Sequence, residues 1–181
     1  MLSDRDAILG AIPDCPTPPV VTDAVALNAS GMSPWDEFET RLTALGGRVV
    51  RVPTLENWEA AVGIPLASAR MDVELGANGA NLDIWDAEIG VTGAEWAIAE
   101  TGTLLLSAGP GKERMNSLAP PTHIVLIRED RIKSRLEEAI AELSDRTSVL
   151  ITGPSRTADI EGVLVRGVHG PGQLIVVVYA G

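Results

Sequence analysis

Cysteine is almost missing from this chain: Cys15 stands alone among 181 residues. One thiol cannot close an intrachain disulfide, nor hold an iron–sulfur cluster or a Cys-rich zinc site. A reducing, cytoplasmic setting is the expectation that follows. Aromatic residues are scarce as well, at 3% against 45% hydrophobic, so the core must be built from Val, Ile, Leu and Ala. Only two histidines occur, His123 and His169, and neither sits in a metal-ligand spacing. No metal and no other cofactor is expected. Apolar runs stay short of the roughly 18 residues that a membrane helix needs, so no membrane insertion is expected. The opening "MLSDRDAILGAIPDC" has no basic region leading into a long apolar core, and no secretory signal is expected. Basic residues are outnumbered, 14 against 25, for a net charge of −11. Binding to nucleic acid needs a basic face, and none is in prospect.

What is present reads as alternating helices and strands. Residues 4–12 suggest a short helix, and the prolines of 13–33 an extended linker, so the chain divides into an N-terminal piece, 1–33, and a domain, 34–181. In "SPWDEFETRLTALGG", Ser33 is a plausible N-cap and Pro34 takes the first helical position, with Trp35, Phe38, Leu42 and Leu45 on one face. "RVVRV", 48–52, is a strand, and a second helix is expected over 55–63. "AEIGVT" and "TGTLLLSA" read as strands, with "GAEWAIA" as a short helical link between them. "HIVLI", 123–127, is a buried strand. The spacing of Ile132, Leu136, Ile140 and Leu143 predicts a helix over 129–145, and "SVLIT" and "QLIVVVY" are the last strands. Strands that are apolar throughout are usually covered on both faces. The reading is an α/β fold, a layered, Rossmann-like sheet with helices on both faces.

Two clusters stand out as candidate sites. Glu100, Thr101, Gly102 and Thr103 place a carboxylate, two hydroxyls and a glycine at the mouth of a core strand, where open α/β sheets hold ligands. Glu100 could be a base, a nucleophile or a partner for Arg156; the plainer alternative is a polar turn with Gly102 making a tight bend. Ser155, Arg156 and Thr157 follow a Gly-Pro turn and precede an apparent helix start at Ala158. Free amides there, two hydroxyls and a guanidinium suit an anion, although ordinary capping accounts for one hydroxyl. Other motifs fall away. "GPGKE" lacks the spacing and the Ser or Thr of a phosphate loop, and "GVHGPG" precedes a strand where a dinucleotide fingerprint would follow one. His123 and His169 read as hydrogen-bonded loop histidines.

"EIGVTGAEWAIAETGTLLL", "NSLAPPTHIVLI" and "TGPSRTADIEGVLVRGVHGPGQLIVVV" together resemble the LUD domain family. That resemblance implies a fold similar to the sugar-isomerase and CoA-transferase superfamily. It also implies work beside partner proteins, one of them carrying iron–sulfur clusters, in oxidising L-lactate to pyruvate. "AETGTLL" is similar in layout to the Ser-Glu-Asn-Gly stretch of class I CoA transferases, with Glu100 at the nucleophile's position and Ala99 and Thr101 replacing Ser and Asn. Three functions are therefore in view. The first is a non-redox accessory subunit of lactate oxidation that binds a small anionic molecule or a partner. The second is a stand-alone enzyme acting on acyl-CoA or a sugar phosphate through Glu100, and the third a scaffold with a vestigial pocket.

Overall fold

The structure is a computed structural model that describes residues 31–75, 82–143, 147–158 and 164–181. The helix expected over 4–12 and the linker up to residue 30 lie outside the described residues. Helix α1 runs Pro34–Ala44. Its ends are set by local chemistry: the Asp36 amide donates to Ser33 Oγ at 3.3 Å, and Gly46, at φ +89°, turns the chain away after the last helical turn. Trp35, Phe38 and Leu42 form its buried stripe. A single 3₁₀ turn, Leu55–Asn57, leads into α2, Trp58–Val62, which Gly63 ends in the left-handed region.

Five parallel strands form the central sheet. They are β1 (Arg48–Val52), β2 (Ala69–Met71), β3 (Ile89–Gly93), β6 (Thr122–Arg128) and β11 (Gln173–Tyr179), in the order β1-β11-β6-β3-β2. The pleat sorts their apolar residues onto two faces. Ile124, Leu126, Ile175 and Val177 pack with Trp58 and Val62 of α2 on one side. Val125, Ile127, Val176 and Val178 pack on the other with the stripe of α1 and with Ala97, Leu104 and Leu106. Both faces are covered, which is why β6 and β11 are apolar without alternation. Each fully buried aliphatic of this kind contributes roughly 1.5–3 kcal/mol.

The last three residues named belong to a second, four-stranded sheet. Its strands are β4 (Trp96–Ile98), β5 (Thr103–Ser107), β7 (Ile132–Lys133) and β8 (Ser148–Ile151), ordered β7-β4-β5-β8. Its outer face carries Ile98 and Leu105 against Ala139 of α3, Leu136–Ile140. A two-stranded ribbon, β9 (Arg156–Ala158) with β10 (Leu164–Arg166), completes the described elements. The class is α/β, a parallel central sheet with helices; on one face the cover is α1 together with the second sheet.

Two helical expectations are corrected. "GAEWAIA" contains β4, paired antiparallel to β5 and parallel to β7. The helix expected over 129–145 is reduced to α3, because Ile132 and Lys133 are in β7. Ile132 packs against the α1 cluster, and Lys133 Nζ and the Arg131 guanidinium flank the Trp96 ring, 4.1 and 5.1 Å from its centroid. Strand pairing and this cation–π clamp outweigh a helical spacing of four apolar residues.

Candidate functional site

The Glu-Thr-Gly-Thr cluster is the turn between β4 and β5. The Gly102 amide donates to the Ile98 carbonyl at 3.0 Å, with Gly102 at φ +66°. A Cβ there would stand 2.7 Å from the Leu42 amide nitrogen and 2.9 Å from Arg41 Cβ, so the glycine lets the turn press against the backbone of α1. Glu100 points to α3: its Oε1 accepts from the Leu136 amide at 2.7 Å. The carboxylate thus satisfies one of the free amides at a helix start and sits at the favourable end of the helix dipole. Arg156 does not meet it. The Arg156 guanidinium donates instead to the Leu45 carbonyl at the end of α1. The pairing of Glu100 with Arg156 is thereby corrected.

Thr101 and Thr103 point the other way. Thr101 Oγ1 donates to Thr103 Oγ1 at 2.8 Å, and Thr103 Oγ1 lies 2.7 Å from Thr152 Oγ1. The chain of hydroxyls ends at Thr152, just past β8. The helix start expected at Ala158 is also corrected, since 156–158 form β9 and Thr157 lies opposite Val165 of β10. Ser155 is tied by its backbone to the glycine-rich loop after β10. Its amide donates to the Pro171 carbonyl at 2.8 Å, and its carbonyl accepts from the Gly167 amide at 3.1 Å.

This tie closes one wall of a cleft of about 580 Å³, open to solvent. Ser117, Thr152, Ser155, His123 and His169 supply its polar lining, and Leu118, Leu174 and residues 149–151 of β8 its apolar walls. No Asp, Glu, Lys or Arg is among the lining residues. His123 comes from the start of β6 and is 1% exposed. Its Nε2 lies 2.8 Å from Thr92 Oγ1 on β3. Burial pulls its pKa from 6.5 to about 3, so the ring is neutral at physiological pH. Gly90, level with His123 in the sheet, accepts the 3₁₀ turn Arg114–Ser117 directly above it. A Cβ on Gly90 would fall 1.7 Å from the Asn116 carbonyl oxygen. A smaller recess of about 270 Å³ shares Ser117 and Val149 with the cleft and holds Asp72. Burial raises the pKa of Asp72 against hydrogen bonds from the Asn116 side chain and the Glu113 and Gly93 amides. Among the described residues no group of three or more His, Cys, Asp or Glu could hold a metal ion, and no helix is long and apolar enough to cross a membrane.

The LUD domain family profile matches residues 74–179, more than half of the chain. The chain belongs to the LUD domain family. Among curated proteins it is similar to the lactate utilization protein C of Deinococcus radiodurans, at 38% identity over 66% of this chain and 59% of that protein. It is similar to those of a Geobacillus species, at 39% over 47% and 39%, and of Macrococcus caseolyticus, at 40% over 47% and 41%. The chain spans about half the length of the curated relatives it matches. Among solved structures, a DUF162 family protein from Deinococcus radiodurans has the same fold, with a TM-score of 0.57 at 22% identity, covering 82% of this chain and 99% of that one.

The LUD domain span contains every residue that lines the cleft. Of the residues singled out in the sequence, Ser155 lines it, and Thr101 and Thr103 reach it only through Thr152. Glu100, Gly102, Arg156 and Thr157 do not line it. His123, His169, Thr152 and Ser117 were not anticipated. One signal for His123 was available: it is the lone polar residue in "HIVLI", and a strand buried on both faces tolerates a polar side chain only with a partner.

Proposed function

We propose that this LUD domain protein acts in lactate utilization as a non-redox subunit, beside iron–sulfur partner proteins, and binds a small anionic ligand in the cleft of His123 and Ser155. The observation that carries the reading is that the span matched by the family profile holds the whole lining of the cleft. The names of the relatives supply the pathway. Electron transfer falls to the partners, because one cysteine cannot hold a cluster. In this reading Glu100 serves to cap α3, since its Oε1 accepts from the Leu136 amide and it is not among the residues that line the cleft. Genetic complementation tests the proposal. In a bacterium that lacks its lactate utilization protein C, this chain should restore growth on L-lactate, and Ser155→Leu, which fills the cleft, should not. Failure of the unaltered, expressed chain to restore growth would overturn the assignment.

A further inference from the structure

His123 has two ring nitrogens, and the structure accounts for one. Nε2 lies at 2.8 Å from Thr92 Oγ1. Nδ1 makes no hydrogen bond among the described residues. The one buried side-chain nitrogen or oxygen there without a partner is Asn116 Oδ1, so Nδ1 is not sealed off. The space that the ring lines is the cleft. A side chain 1% exposed thus keeps one polar atom open to a cavity, and burying such a group unpaired is costly.

Bond counting favours one tautomer. Thr92 is itself buried, 3% exposed, and its hydroxyl has one partner among the described residues, His123 Nε2. If Nε2 carried the proton, the Thr92 hydrogen would find no acceptor among the described protein groups and could turn only to the smaller recess, which Thr92 also lines. If Thr92 donates to Nε2, both groups are satisfied and the proton of the neutral ring sits on Nδ1. The cleft is then offered a donor. Its other side-chain donors are the hydroxyls of Ser117, Thr152 and Ser155 and the ring of His169, and no Lys or Arg is among its lining residues. A phosphate dianion would find no lysine or arginine there to offset its desolvation. The aliphatic walls suit a short carbon skeleton.

We infer that His123, held by Thr92 as the Nδ1–H tautomer, is the anchoring residue of the cleft and donates to an oxygen of a neutral or singly charged carbonyl or carboxylate compound, to the exclusion of phosphorylated ones. The inference rests on the reading of the cleft as the ligand site. The test is a titration of the full chain, with histidine nitrogens labelled with ¹⁵N, by pyruvate and by phosphoenolpyruvate, which differ by one phosphoryl group. Before any addition, His123 Nε2 should resonate as an unprotonated, pyridine-type nitrogen and Nδ1 as a protonated one. Pyruvate should shift Nδ1 saturably, and phosphoenolpyruvate should bind at least tenfold more weakly. Thr92→Val keeps the side-chain shape, removes the tautomer lock and should weaken pyruvate binding roughly fivefold to tenfold, the scale of one hydrogen bond. Protonated Nε2 in the free protein overturns the tautomer assignment. Pyruvate binding that shifts cleft residues 153–155 but leaves His123 and the Thr92→Val affinity unchanged overturns the anchor while the cleft stands as the ligand site. Equal or tighter binding of phosphoenolpyruvate overturns the ligand class. No binding of either probe overturns the anchor even if complementation succeeds.

Discussion

The turn at residues 100–103 and the paired loops at 152–155 and 167–171 look alike in sequence, each a mixture of glycine and hydrogen-bonding side chains between apolar strands. In the structure they differ in what is already spent. Glu100 is engaged by α3, Gly102 is pressed against α1, and Thr101 and Thr103 bond to each other and to Thr152. The paired loops use backbone groups to hold each other and leave Ser155 and His169 lining a cleft, above the buried ring of His123. A polar cluster whose atoms satisfy one another stabilises a fold, and one that keeps donors facing open space is free to bind.

The sharpest way to break this contrast is Gly102→Ala. A left-handed alanine costs about 1–2 kcal/mol, and the contact with α1 adds overpacking of similar size. The expected loss is about 3 kcal/mol, a fall of roughly 6–12 °C in Tm for a chain of this length. An unchanged Tm in calorimetry would mean that the turn is not structural. The second test is pH. His123 has its folded pKa pulled below the unfolded 6.5, to about 3. Its contribution is therefore complete above about pH 6.5 and is lost as the pH falls toward 3. Between pH 7.5 and 4.5 the loss is about 2–3 kcal/mol. Asp72, its pKa raised chiefly by burial, works in the opposite direction, since protonation relieves a buried charge. Denaturant melts of wild type and His123→Gln separate the two: the slope due to His123 should vanish in the variant, and persistence of the full slope would place the titration elsewhere. The smallest effect is expected from Glu100→Gln. The amide oxygen can still accept from the Leu136 amide, so only the charge at the helix start is lost, about 0.3–1 kcal/mol. Growth on L-lactate under complementation should be unchanged. Loss of growth with an intact melt would give Glu100 a chemical role and overturn the contrast.

Much of the fold was legible. The cap of α1 by Ser33 and Pro34 and its buried stripe of Trp35, Phe38 and Leu42 are local, set within one or two turns of chain. The unbroken aliphatic runs of β6 and β11 announce strands covered on both faces. The helices expected over 93–99 and 129–145 gave way to short strands because their apolar spacing suits a helix as well as it suits β4 and β7. Strand partners settle that choice, and for β4 they come from β5 and β7.

By itself, then, the sequence determined the aliphatic core, the α/β class and, through three long motifs, the family, because composition, caps and burial patterns are properties of neighbouring residues. Tertiary structure decided which polar residues have work left to do. The cleft is assembled from the start of β6, the end of β8 and the loop before β11, which meet only once the sheets have stacked. Whether a carboxylate caps a helix or an imidazole keeps one nitrogen free depends on partners far away in the chain, and spacing along a sequence does not record them.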